Sequence, residues 1–121
     1  MVTEDYCPYE LAKLLLQKGL RYNDAEYESY YTLKGRIVYF KDKPKEINIS
    51  PRFTLQTACK WLREEHKIHI AIQVFNEKGY NAILCDVRDL HDVKYISETD
   101  FFFHAEKAVE AAIKYALENL L

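Results

Sequence analysis

The sequence predicts an α+β fold in a single domain, with three helices and two antiparallel β-hairpins. Three observations carry that expectation. Residues 54–66 repeat apolar side chains at helical spacing, residues 68–75 switch to a period of two, and residues 104–120 return to a helical stripe. The second half therefore reads helix, strand, strand, candidate strand, helix. At 121 residues the chain is sized for one domain. It divides into a helix plus hairpin over 1–50 and a helix–hairpin–helix core over 51–121.

Met1 to Tyr6 reads as a frayed lead. Pro8 suits the first position of a helix, and Glu10 favours the positive end of its dipole. Leu11, Leu14 and Leu15 form the apolar face, widened by Ala12 and Leu16. Gly19 is expected at the left-handed stop, with Leu20 packing back over the last turn. Residues 21–26 are a polar connection. Tyr27, Tyr30, Tyr31 and Leu33, a Lys34-Gly35 turn and Ile37 to Phe40 read as a short hairpin. Lys41 to Lys45 is a charged loop broken by Pro44. Ile47, Ile49 and Pro51 form an extended lead into the next helix.

Thr54 is the expected N-cap of that helix, its hydroxyl accepting from a backbone N–H one turn in. Leu55, Ala58, Cys59, Leu62 and His66 share one face. Trp61 stands roughly 120° off that stripe at about 100° per residue, which places it at the core edge or partly in solvent. His66 and Lys67 suit the negative end of the dipole. Beyond them Ile68, Ile70, Ile72 and Val74 point one way, and His69, Ala71, Gln73 and Phe75 the other. Asn76 to Gly79 reads as a hairpin loop with Gly79 at positive φ, and Tyr80 to Arg88 as the returning strand. Asp89 to Asp92 is a polar turn, Val93 to Ile96 a candidate third strand, and Ser97 to Asp100 a loop. Phe101 to Phe103 is too short to assign. From His104 the chain is helical. Ala105, Ala108, Ala112 and Ala116 form a row flanked by Val109, Ile113, Leu117 and Leu120, opposite Glu106, Glu110, Lys114 and Glu118. Such a row allows close approach at the cost of less apolar area buried per residue.

Composition narrows the function classes. A net charge of -2 and a pI near 6.1 give no global basic field of the kind nucleic-acid binders carry. The acidic start and the short Leu14-Leu15-Leu16 run resemble neither a signal peptide nor a span. Cys7, Cys59 and Cys85 lack CxxC spacing and read as reduced thiols in a cytoplasmic protein. His66 and His69 beside Glu64 and Glu65 have ligand chemistry but sit at a helix end and a strand start, so convergence on a metal is not expected. Asp86, Asp89 and Asp92 with His91 lack the EF-hand's Gly and closing Glu. Cys59 and Cys85 have no evident base beside them, and there is no Gly-rich phosphate loop. No catalytic residue, metal or cofactor is expected. The ten Tyr, six Phe and one Trp stand out instead. Tyr30, Tyr31, Tyr39 and Trp61 are the candidate interaction surface, with a homodimer as the expected use, because Tyr and Trp are enriched where proteins meet. The alternative is that they cover the edges of a small core.

WLREEHKIHI (61–70) with Pro51 ahead of it, PYELAKLLLQKGL (8–20) and AEKAVEAAIKYALENL (105–120) are similar to a group of small uncharacterised proteins that recur in gut bacteria and their prophages. The resemblance covers most of the chain, is weakest over 21–50, and is most specific in the WLRE-x-H-x-I run. Arg52-Phe53 and His104 depart from the group, which more often has Ser, Thr or Asp at the latter position. The resemblance carries over no functional residue. It implies a bacterial accessory protein that binds another protein. The topology of 54–121 also resembles the double-stranded-RNA-binding domain, which implies an RNA- or DNA-binding alternative. That family grips phosphates with a lysine cluster at the start of its last helix. Here only Lys107 fits, beside Glu106 and His104, and the strand-joining loop lacks Gly-Pro-His character. Fold does not imply function, so a protein partner remains the leading expectation and an enzyme the least.

Overall fold

The computed structural model describes residues 5–21, 29–32, 34–39 and 48–121. The elements run α1 (Tyr9–Lys18), β1 (Ser29–Thr32), β2 (Ile37–Tyr39), β3 (Asn48–Pro51), α2 (Leu55–His66), β4 (Ile68–Phe75), β5 (Gly79–Asp86), β6 (Lys94–Glu98) and α3 (Ala105–Asn119). The class is α+β, with two three-stranded antiparallel sheets. The chain gathers into two compact units, Met1–Thr57 and Ala58–Leu121, and passes from one to the other inside α2.

In the first unit α1 ends as its sequence dictates. Gly19 takes φ 119°, its N–H donates to the Leu16 carbonyl at 3.3 Å, and the Leu20 N–H donates to that of Leu15 at 3.1 Å. This paired arrangement satisfies carbonyls that a helix end leaves open, and Leu20 is buried beside it. Pro8 sits one residue before the helix, its carbonyl accepting from Ala12 at 2.9 Å. Leu11, Ala12 and Leu15 are buried, while Leu14 and Leu16 are half-buried. The sheet order is β2-β1-β3. The expected hairpin is present, closed by Gly35 at φ 78° with its N–H on the Thr32 carbonyl. The expected extended lead is a third strand: Tyr30 lies between Val38 of β2 and Pro51 of β3. The end of the frayed lead is also corrected. Tyr6 bridges Thr54, the Asp5 carbonyl accepts from Leu55 at 2.9 Å, and the Cys7 N–H donates to Phe53 at 2.8 Å. Most of the 21–26 connection, Tyr27, Leu33, Phe40, the Lys41 to Lys45 loop and Ile47 lie outside the described residues.

Thr54 caps α2, its hydroxyl accepting from the Thr57 N–H at 3.1 Å. Leu55, Ala58, Trp61 and Leu62 are buried, whereas Cys59 and His66 are half-buried. The buried arc is thus centred on Ala58 and includes Trp61. Lys67 then reverses the chain at φ 58°, and its ammonium donates to the Glu64 carbonyl at 2.8 Å.

In the second unit β4 and β5 pair without a break, from Ile68 opposite Asp86 to Phe75 opposite Gly79. The hairpin turn has Glu77 at φ 68° and Gly79 at φ 96°. Gly79 is required there twice over, since a β-carbon would also collide with the Phe102 carbonyl oxygen. The third strand forms as β6, at 94–98, so Ser97 and Glu98 leave the expected loop for the sheet. α3 packs over β5 and β4. Ala108, Val109, Ala112, Ile113, Ala116 and Leu117 are buried along it, so its alanine row faces inward as its spacing requires.

Candidate interaction surface

The structure redistributes the aromatic residues singled out by composition. Tyr30 and Tyr31 are 4% and 6% exposed and Trp61 is 9% exposed. These three are corrected from contact surface to core. The reason for the tyrosines is β3: a third strand makes β1 the middle strand, and all four of its residues are buried. Tyr31 donates its phenolic hydrogen to the Cys7 carbonyl at 2.6 Å, and its ring centroid lies 5.5 Å from that of Tyr9. Trp61 lies inside the buried arc of α2 and meets the His66 ring edge-on at 4.7 Å. Only Tyr39, on the outer strand β2, is exposed among the four.

A surface that composition did not single out lies in the second unit. β4 is an outer strand of its sheet. The hydrogen bonds of β5 fix which way its backbone points. The Tyr80 N–H and carbonyl exchange bonds with Phe102 at 2.7 Å, and Ala82 bonds Thr99. Even-numbered residues of β5 therefore bond away from β4, and odd-numbered ones bond toward it. The Val87 N–H on the Lys67 carbonyl agrees with this alternation. It follows that His69, Ala71, Gln73 and Phe75 of β4 bond β5, while Ile70, Ile72 and Val74 turn their N–H and C=O groups to the open edge. Among the described residues none bonds to them there.

The side chains along this edge are apolar and uncovered toward the hairpin. Ile68 is buried, Ile70 half-buried, Ile72 50% exposed and Val74 69% exposed. Phe75 is exposed on the other face, with its ring edge-on to Phe101 at 5.4 Å. The Phe101-Phe102-Phe103 run follows from the Tyr80–Phe102 bridge: the middle residue pairs with the sheet, and Phe101 and Phe103 are left exposed. Strand edges in natural proteins are usually blunted by Lys, Glu, Pro or a bulge. Residues 68–75 contain none of these. That signal was present in the string IHIAIQVF, but the strand's outer position was not.

Several of the candidate chemical groups make local structural contacts. Asp86 forms a close ion pair with Arg88, Oδ2 to Nη2 2.6 Å, and also accepts from the Arg88 backbone N–H. The Arg88 guanidinium holds its carboxyl below the usual value. The Asp89 carboxylate accepts from the His91 N–H at 2.9 Å, closing the turn. Burial pushes the Cys59 thiol up to about 11 despite Arg63 nearby, which keeps it protonated and poorly nucleophilic at neutral pH. Asn81 is buried and donates to Glu98 at 3.4 Å. Among the described residues no group of three or more His, Cys, Asp or Glu is placed to hold a metal ion. None of their helices is long and apolar enough to cross a membrane. No family model, no curated protein and no solved structure matches the chain.

Proposed function

We propose that this chain is a non-enzymatic binding module that associates with protein, its own copies included, and acts in the bacterial cytoplasm as an accessory of a mobile element. The observation that carries the reading is the uncharged, unblunted outer strand β4, with Ile72, Val74 and Phe75 in solvent. An extended edge of this kind recruits another strand through main-chain hydrogen bonds, and the flanking side chains supply selectivity. Exposed apolar area clustered at one end of a sheet is a feature of partner-binding surfaces. The test compares wild type with a Val74→Lys/Phe103→Lys double variant, which changes two exposed positions. Both should melt at similar temperatures. Wild type alone should self-associate in light scattering or retain proteins from a bacterial extract. A wild type that does neither, or a variant that does both equally well, contradicts the reading.

The nucleic-acid alternative has the helix–strand–strand–strand–helix order of 55–119 in its favour. Charge argues against it. Lys107, at the start of α3, is engaged by Glu110 at 3.4 Å, and Glu106 and His104 stand beside it. A backbone-gripping site needs uncommitted cations.

A further inference from the structure

We infer that the occupant of the β4 edge is a second copy of this chain, paired antiparallel about a twofold axis through Ile72. This rests on the reading of β4 as a binding edge and adds the partner and the register. A twofold axis normal to the sheet sets residue i of one strand opposite residue j of the other with a fixed sum. Only registers that join two outward-pointing residues form hydrogen-bonded pairs. With Ile72 on the axis, Ile72 meets Ile72 and Ile70 meets Val74 at both ends, giving roughly six main-chain bonds. These are the three residues, apart from the buried Ile68, whose backbone faces the open edge. On the face of Ile72 the cross-strand neighbours are all β-branched, a favourable pairing, while Ala71 meets Gln73 on the other face.

The absence of charge on β4 favours the same occupant. Self-pairing sets each side chain against itself or a near neighbour, so a strand of like charges repels its own copy. β4 carries no Lys, Arg, Asp or Glu. β6, the other outer strand, carries Lys94 and Glu98 and is blunted in the usual way. An axis through Ala71 would require the edge of Ile68, which is buried. The Ile72 register uses Ile70, Ile72 and Val74 alone, none of them buried. The product is one continuous six-stranded sheet, and the exposed Ile72 and Val74 are covered by their counterparts.

The test is light scattering of the full chain at about 100 μM, a concentration that detects binding of roughly 5–6 kcal/mol. Wild type should give twice the chain mass. Ile72→Lys should give the monomer mass with an unchanged far-UV spectrum, because it sets two ammonium groups face to face on the axis. Leu90→Lys, in the exposed turn between β5 and β6, should remain dimeric. Mild oxidation supplies a second reading that needs no loss of binding. Ile72→Cys should cross-link to itself, since a hydrogen-bonded pair holds Cα atoms about 5.5 Å apart, and should do so faster than Ala71→Cys. A dimeric Ile72→Lys variant, or preferential cross-linking at position 71, overturns the pairing while leaving self-association standing. A monomeric wild type overturns the occupant, and the extract comparison above then decides separately whether the chain binds protein at all.

Discussion

The two sheets of this chain make a controlled comparison. Each has three antiparallel strands. In the first, the tyrosine-bearing strand β1 is in the middle and is buried throughout. In the second, the isoleucine-bearing strand β4 is at the edge, and its exposure rises from Ile68 to Val74. Composition alone nominates the tyrosines as contact surface and the isoleucines as core. Position in the sheet instead buries the tyrosines and leaves Ile72 and Val74 exposed toward the β4 hairpin. A middle strand has neighbours for both rows of backbone groups, whereas an edge strand leaves every second N–H and C=O for a partner.

The largest expected effect follows directly. Tyr31→Ala should destabilise the fold by about 3–5 kcal/mol, the range for removing a buried aromatic side chain, and it also leaves the Cys7 carbonyl without its phenolic donor. Val74→Ala should cost less than about 1 kcal/mol, as exposed positions do. Denaturant titrations of the two variants at concentrations below any association check this. Equal costs would erase the distinction between the sheets.

A smaller effect is expected at the β4–β5 hairpin. Gly79→Ala should cost about 2–4 kcal/mol, combining a left-handed backbone with a collision against the Phe102 backbone. Thermal unfolding measures it. A neutral Gly79→Ala would mean that residues 101–103 do not hold the place described and that the exposed aromatic pair beside β4 is misassigned.

Much of this architecture was legible in the residues themselves. The Gly19 stop, the Thr54 cap, the alternation of β4, the Gly79 turn and the alanine row of α3 all rest on contacts within a few residues or on a strict period. These are local signals, and local chemistry decides them. What was not legible depends on sheet order. Nothing in residues 48–51 announces a strand that would enclose Tyr30 and Tyr31, and nothing in IHIAIQVF says which side has a neighbour. Trp61 was misplaced for a related reason. Its helix is buried over an arc centred on Ala58, and the apolar spacing alone placed that centre nearer Cys59. The exposed outer strand was therefore hidden from sequence by the same long-range pairing that creates it.

A pH-dependent effect is expected at Cys59 on α2. Its thiol titrates at about 11 in the fold against 9.0 ordinarily. A raised acid pKa disfavours the ionised form in the native state. Its contribution to stability is thus complete below about pH 9 and is lost as pH rises from 9 toward 11. Wild type should lose stability over that window more than Cys59→Ala, and alkylation of Cys59 at pH 8 should be far slower in the folded chain than in urea. Rapid alkylation under native conditions would place Cys59 outside the buried side of α2.

The central claim, that β4 offers its outer backbone to a second β4, is tested most directly by amide hydrogen exchange resolved by residue along 68–75 at two protein concentrations. At high concentration Ile70, Ile72 and Val74 should be protected together with Ala71 and Gln73. On dilution the three even-numbered amides should lose protection while Ala71 and Gln73, bonded to β5, keep theirs. Rapid exchange of Ile70, Ile72 and Val74 at every concentration, with Ala71 and Gln73 protected throughout, would contradict the account.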